Sequence, residues 1–129
     1  MGGVTTWFAL MKNPDIIGRF MPISGDSWAV EPLGGGTATE ETVKRLKEEI
    51  EKAGYNKADY KIFAGTGDKD IAYPNLSPQI EEMKKYPEFF EYSEDLKEGN
   101  FHYVVHEDSY HTYEQVYQHV YGFLPYLFD

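Results

Sequence analysis

Asp70 and His111 are the two residues of this sequence whose types and positions best suit catalysis. Asp70 follows one predicted buried strand, and His111 follows the next. Ligands of open α/β sheets bind at the carboxyl ends of the strands, so both side chains are expected at the same edge. An acid that orients an imidazole and precedes it in the chain fits the Ser-Asp-His order of a hydrolase. The sequence therefore predicts an acid-histidine pair, with Asp68 and Asp26 as alternative acids.

The remaining histidines do not suggest a metal site. His102 lies within a predicted strand and His119 on the closing helix, which favours packing or surface roles. His106-Glu107 and His111 approach the zinc motif H-E-x-x-H, but on a helix the extra residue turns His111 about 140° away from His106. Asp68-Lys69-Asp70 lacks the later glycine and glutamate of a calcium loop. We expect no metal and no cofactor.

The first residues fit the second half of a nucleophile elbow. In G-x-S-x-G the serine occupies a tight strand-to-helix turn, and small residues follow because larger side chains would collide with the adjoining strand. Met1-Gly2-Gly3 fits that half, so the serine would immediately precede Met1. A start codon with a flexible leader is the alternative, but the apolar residues 4–11 favour a buried helix. Ser24, Ser27 and Ser109 do not replace the elbow serine, because none of them lies in an elbow sequence.

The composition is that of one globular domain or part of one. The 129 residues are 41% hydrophobic and 26% charged, as in ordinary globular proteins. A net charge of -10 argues against nucleic acid, which requires clustered Lys and Arg. The sequence has no cysteine, no apolar stretch of membrane-spanning length and no signal-peptide pattern. Aromatic residues make up 16%, which suits sugar or phenolic rings as well as core packing.

Apolar patterning predicts alternating helices and strands. The predicted helices cover residues 4–11, 37–53, about 75–86 and 114–123, and the strands cover residues 19–24, 60–64 and 101–105. This alternation indicates an α/β fold with about three parallel strands joined by right-handed crossovers and flanked by helices. Because parallel sheets are normally larger and buried on both faces, more of the sheet is expected before Met1.

Several local features accompany these elements. Thr37 and Glu40 have the spacing of a capping box, and the glycines before them are expected to form a slack loop. Gly54 is expected to end the second helix, and residues 65–70 are expected to form the turn after the second strand. Asn75 or Ser77 is the expected cap of the third helix. The buried faces of the second and last helices are predicted to contain Val43, Leu46, Ile50 and Ala53, and Val116, Val120, Phe123 and Leu124.

Several stretches together resemble the carboxyl-terminal half of bacterial feruloyl esterases. They are Met-Gly-Gly-Val-Thr-Thr-Trp at 1–7, Phe-Met-Pro-Ile-Ser-Gly-Asp-Ser-Trp at 20–28, Gly-Asp-Lys-Asp-Ile-Ala-Tyr at 67–73, Pro-Gln-Ile-Glu at 78–81 and Gly-Phe-Leu-Pro-Tyr-Leu-Phe at 122–128. These esterases are α/β-hydrolase domains of the first carbohydrate esterase family, related to esterase D and often fused to xylanases. The resemblance implies a partial α/β-hydrolase domain over residues 1–129, truncated at the nucleophile elbow.

The resemblance also implies roles for individual residues. Asp70 falls on the catalytic acid, His111 on the catalytic histidine, and Trp28 on an aromatic wall for the phenolic acid. The backbone N–H of Met1 would belong to the oxyanion hole. The implied substrates are feruloyl or acetyl esters of plant cell-wall polysaccharide such as xylan, and the implied full-length protein is extracellular with xylanase modules attached. Without the serine, the chain is expected to be inactive. A non-catalytic carbohydrate-binding or interaction domain is the alternative, because aromatic residues are abundant and the nucleophile is absent.

Overall fold

Helices cover both faces of a small parallel sheet in the computed structural model, which describes residues 2–12 and 18–127. In chain order the elements are α1 (Gly2–Lys12), β1 (Arg19–Phe20), α2 (Gly34–Thr37), α3 (Thr39–Lys52), β2 (Lys61–Gly67), α4 (Tyr73–Met83), β3 (Phe101–His106), α5 (Tyr113–Phe123) and a 3-10 turn at Leu124–Tyr126. The strands pair in parallel in the order β1-β2-β3. The predicted α/β class with three parallel strands and flanking helices is confirmed. Within the described ranges, no helix is long and apolar enough to cross a lipid bilayer.

The central strand β2 is buried on both faces, as expected for a parallel sheet. Ile62 and Ala64 belong to the main core together with apolar side chains of α1, α3 and α4. Phe63 points to the opposite face and packs against Phe123 of α5, with ring centroids 5.4 Å apart. This strand therefore fixes the positions of the helices on both sides.

The first strand is shorter than predicted. Only Arg19–Phe20 form a regular ladder with β2, and an isolated bridge joins Ile23 to Gly65. Pro22 has no N–H to contribute to a ladder. At Ser24 a φ of 55° ends the extended conformation, although its N–H still donates to the Gly65 carbonyl at 2.8 Å. The chain follows β2 to the carboxyl edge of the sheet and turns there.

The predicted capping box at Thr37 is wrong. The long helix α3 begins at Thr39, and Ala38 precedes it without a side-chain cap. Thr37 ends the short helix α2, which contains the glycines that were expected to be slack, and its hydroxyl donates to the Leu33 carbonyl at 3.2 Å. The glycines allow this turn to approach its neighbours closely, since a Cβ at Gly35 would lie 2.5 Å from the Gln79 side chain.

The buried face of α3 agrees with the prediction except at its end. Its buried residues include Val43, Leu46 and Ile50. Ala53 is exposed because it follows the last helical residue, Lys52, and lies beyond the core. Gly54 follows with a φ of 81°, the left-handed conformation predicted for the helix end.

The segment between β2 and α4 also differs from the prediction. β2 continues to Gly67, so residues expected in a turn belong to the strand. α4 begins at Tyr73, with Pro74 in its first turn and no side-chain cap, so neither Asn75 nor Ser77 caps it. Proline suits this position because it is pre-organised for a helix and lacks an N–H that would be unsatisfied there.

The last helix buries a different face from the one predicted. Phe123 is buried as expected, but Val116 and Val120 are only half-buried and Leu124 is exposed. The other buried residues are the polar Gln115 and His119. The outer face carries three exposed tyrosines, Tyr113, Tyr117 and Tyr121. The apolar and aromatic residues 113, 116, 117, 120, 121 and 124 share one face of α5 by their spacing, but that face is half-buried or exposed. The polar side chains that find hydrogen-bond partners lie on the buried face instead.

Candidate active site

Asp70 and His111 meet at the carboxyl edge of the sheet. The Nδ1 atom of His111 lies 2.8 Å from Oδ1 of Asp70. The Asp70 side chain is fully buried, whereas 48% of the His111 side chain is exposed. A buried carboxylate that binds Nδ1–H leaves Nε2 as the ring nitrogen that can accept a proton. The pair therefore has the geometry of a general base held by an orienting acid.

Two loops bring these residues together. Asp68 accepts a hydrogen bond from the backbone N–H of Ser109 at 3.2 Å, and the N–H of Lys69 donates to the Ser109 carbonyl at 3.0 Å. A Cβ at Gly67 would lie only 2.2 Å from the same carbonyl oxygen, so only glycine permits this approach. Asp68, one of the alternative acids, therefore holds the two loops together. Its carboxylate accepts from Ser109 and not from His111.

The second alternative acid, Asp26, is also engaged elsewhere. One oxygen of its buried carboxylate accepts from the Trp28 indole N–H at 3.1 Å, and the other accepts from the Gly35 N–H at 2.8 Å. Asp26 therefore orients Trp28 and anchors α2. Of the three aspartates weighed on the sequence, the structure pairs Asp70 with His111.

The sequence reasoning missed Gln115, which contacts the acid directly. Its Nε2 donates to Asp70 Oδ2 at 2.7 Å, while the Ala72 N–H donates to Oδ1 at 2.8 Å. Burial raises the pKa of Asp70, but hydrogen bonds from Ser24, Ala72, His111 and Gln115 outweigh it and lower the pKa below its ordinary value. Its position was the available signal, because Gln115 lies only four residues after His111, in the first turn of the closing helix.

Trp28 and His111 line the same cleft. Its volume is about 190 Å³, and the residues around it include Trp28, Leu33, Ile71, Val4, Ser24 and His111. Ile71 is 79% exposed and Leu33 is 45% exposed, so the apolar wall is open to solvent. His111 also lines a second cavity of about 330 Å³ with Thr112, Tyr113 and Val116. Sequence reasoning identified Trp28 but not Leu33 or Ile71.

The beginning of α1 packs as closely as the elbow pattern requires. A Cβ at Gly3 would lie 2.7 Å from the Ile23 carbonyl oxygen and 2.8 Å from the Gly25 nitrogen, whereas one at Gly2 would meet nothing within 4 Å. The indole N–H of buried Trp7 donates to the Gly25 carbonyl at 2.8 Å and holds the helix against this segment. Met1, the predicted oxyanion donor, lies outside the described residues.

Two of the remaining histidines, His102 and His119, are buried and bind backbone carbonyl groups. His102 is buried, and its Nδ1 lies 2.8 Å from the Ser93 carbonyl. His119 Nε2 lies 3.0 Å from the Thr66 carbonyl, and its ring stacks on His106 with centroids 4.0 Å apart. Burial, assisted by His106, lowers the pKa of His119 to about 4. Within the described part of the chain, no three possible ligands are grouped to hold a metal ion.

Comparisons with known proteins agree with this architecture. No family profile matches the sequence. The chain is 38% identical over 128 residues to endo-1,4-beta-xylanase Y of Acetivibrio thermocellus. The aligned region covers 99% of this chain and 11% of that protein. Two solved structures, one of an FAE and one of a mutant feruloyl esterase module from Clostridium thermocellum complexed with sinapinate, each superpose with a TM-score of 0.85 and 38% identity. Each superposition covers 96% of this chain and 41% of the solved chain.

These similarities confirm the resemblance drawn from the sequence motifs. The identity extends over nearly the whole chain, and the three parallel strands with their helices match the last part of a larger sheet. The chain is thus a relative of the feruloyl esterases, which are serine carboxylic-ester hydrolases, and has the fold of the carboxyl-terminal part of an α/β-hydrolase.

Proposed function

We propose that this chain is the acid-histidine part of a serine esterase that hydrolyses feruloyl or acetyl esters of xylan. The observation that carries the proposal is the 2.8 Å contact between buried Asp70 and half-exposed His111, beside a cleft walled by Trp28. The chain spans 41% of the related esterase structures, so the activity belongs to a larger domain.

In the proposed mechanism, His111 is the general base. Its Nε2 removes the proton from a serine hydroxyl as the oxygen attacks the ester carbonyl, and Asp70 stabilises the resulting imidazolium. His111 then returns the proton to the departing sugar hydroxyl, and the same steps with water release the acid. The backbone N–H of Met1 would stabilise the tetrahedral oxyanion together with a second donor outside this sequence.

The serine itself would belong to a part of the protein outside this 129-residue sequence. Within it, Ser24 Oγ lies 3.1 Å from Gln115 Oε1, Ser27 Oγ accepts from the Ala29 N–H at 3.3 Å, and Ser109 Oγ donates to the Glu107 carbonyl at 3.0 Å. None of these three serines has an elbow sequence. The close approach of Gly3 to Gly25 supports an elbow that ends at α1.

The acyl group would lie along the wall formed by Trp28, Leu33 and Ile71. Flat apolar surfaces favour a phenolic ring over a small acetyl group. The related module was solved with sinapinate, which is an aromatic acid. Because the relative is a xylanase, we also propose that the full-length protein is extracellular and carries or accompanies xylanase modules.

A carbohydrate-binding module without catalysis is the second candidate. The exposed tyrosines of α5 favour it, because Tyr113, Tyr117 and Tyr121 are 82%, 59% and 75% exposed. Aromatic rings in solvent can stack on sugar faces. Retention on insoluble xylan by a protein that does not hydrolyse esters would support this candidate over the esterase.

The deciding experiment compares this chain with the same chain extended upstream in its own reading frame, here called the extended chain. Both are assayed on methyl ferulate and on an aryl acetate. The extended chain should be active, and changing its elbow serine to alanine should lower turnover about 10⁶-fold. Asp70→Asn should lower turnover about 10⁴-fold, because the imidazole loses its correct tautomer.

Three outcomes would contradict the proposal, and one surface variant serves as its control. Hydrolysis by the short chain that follows the protein through purification would contradict the assigned nucleophile. An upstream reading frame without Gly-x-Ser before Met1, or full activity in His111→Ala, would contradict the esterase itself. Arg45→Ala on the surface of α3 is a matched control, and we expect its activity to be unchanged.

A further inference from the structure

A single buried amide connects three parts of the site. Gln115 is 2% exposed in the first turn of α5. Its Nε2 lies 2.7 Å from Asp70 Oδ2, 3.0 Å from Ser24 Oγ and 3.0 Å from the Tyr110 carbonyl oxygen. Its own backbone N–H donates to Thr112 Oγ1 at 3.3 Å, which fixes the start of the helix. Gln115 thus contacts the turn after β2, the end of the β1 segment and the loop that carries His111.

These contacts determine how the acid faces the histidine. Asp70 Oδ2 is held by Gln115, so Oδ1 is directed to His111 Nδ1. The Tyr110 carbonyl belongs to the residue before His111, so the same amide also restrains the backbone on which the imidazole is mounted. Ser24, the third partner, adopts a φ of 55°, and such a conformation persists where its surroundings hold it.

We propose that Gln115 is a positioning residue of this esterase, which orients the Asp70 carboxylate and the His111 loop as one unit. The inference rests on the proposed function of the Asp70–His111 pair. A structural glutamine would affect only folding, whereas a positioning glutamine also changes the chemistry of the pair. Its donated hydrogen bond neutralises part of the Asp70 charge, so its loss should stabilise the His111 imidazolium. Two other titratable groups, His119 and Tyr103, also interact electrostatically with Asp70 and stay unchanged in the variants below.

The test uses the extended chain with Gln115→Met, which keeps the volume but cannot donate, and Gln115→Glu, which places a second carboxylate beside Asp70. Gln118→Met is the matched control, because Gln118 lies exposed on the same helix. The kcat and KM for methyl ferulate are measured from pH 4.5 to 9. The titration of the His111 ring is followed by NMR in the same proteins, and their melting temperatures are recorded.

We expect Gln115→Met to lower kcat about 10- to 100-fold with little change in KM, the factor for losing one hydrogen bond to a charged group. The acidic limb of kcat/KM and the His111 titration should both move to higher pH, and further in Gln115→Glu. Gln118→Met should behave as the unchanged protein.

Equal kcat and equal titration in Gln115→Met and Gln118→Met would overturn the proposal. So would a loss of activity that follows only the melting temperature, with the His111 titration unmoved. If the unchanged extended chain is inactive, the proposed function fails, yet a shifted His111 titration in Gln115→Met would still support the positioning role.

Discussion

Acidification should destabilise this protein through His119, which is buried and uncharged. Burial first, and neighbouring His106 second, lower the pKa of His119 from 6.5 to about 4. An unfolded chain has an ordinary histidine pKa of about 6.5, so it binds more protons than the folded chain between these values. The stability contributed by neutral His119 is therefore complete above about pH 6.5, decreases as the pH falls, and is lost below about pH 4.

The size of this effect follows from the pKa difference. A pKa difference of about 2.5 corresponds to roughly 3 kcal/mol at the acidic limit and to about 2 kcal/mol at pH 5. The His119 side chain is only 2% exposed, so solvent screening reduces this little. His102 acts in the same direction, because burial lowers its pKa as well, and a variant is needed to isolate His119.

The assay is guanidinium unfolding of the extended chain at pH 7, 6 and 5, followed by the fluorescence of Trp7, which is 1% exposed. His119→Gln keeps an amide that can donate to the Thr66 carbonyl but removes the titration. We expect the free energy of unfolding to fall by about 2 kcal/mol less in this variant between pH 7 and 5. An identical decline in both proteins would refute the assignment, whatever their absolute stabilities.

Two further variants test the elbow and the cleft. Gly3→Ala should lower the free energy of unfolding by about 1 to 3 kcal/mol, because its Cβ would lie 2.7 Å from Ile23 O and 2.8 Å from Gly25 N; Gly2→Ala, with open space around it, should not, and equal denaturant midpoints would contradict the close packing. Trp28→Ala in the extended chain should lower kcat/KM for methyl ferulate roughly 10-fold or more while changing aryl acetate little, and equal losses on both esters would indicate a packing role for Trp28.

The site was predictable where topology decides the answer. Parallel strands place their carboxyl ends along one edge, so the positions of Asp70 and His111 after successive strands were enough to predict that they meet. The sequence favoured Asp70 and left Asp68 and Asp26 as alternatives, because all three aspartates lie near that edge. Their different partners, set by the backbone geometry of each loop, are not encoded in spacing.

The predictions that failed concern helices whose sequences are compatible with more than one local structure or orientation. The capping box at Thr37 failed because the preceding glycines form a helical turn of their own, which moves the start of α3 to Thr39. The face of α5 was misjudged because its apolar residues form one stripe at helical spacing, yet the helix buries the polar residues Gln115 and His119 and leaves that stripe half-buried or exposed. These two polar residues are buried because Asp70 and the Thr66 carbonyl offer hydrogen bonds there.

The hydrogen bond between Ser24 and Gln115 cannot form until nearly the whole chain has been synthesised. It joins residues 91 positions apart, and translation at about 5–20 residues per second separates their synthesis by about 5 to 20 seconds. Until α5 is made, Phe63 lacks Phe123 and Asp70 lacks Gln115. One face of the sheet therefore stays exposed in the nascent chain until α5 is synthesised. During this interval aggregation and chaperone binding compete with folding.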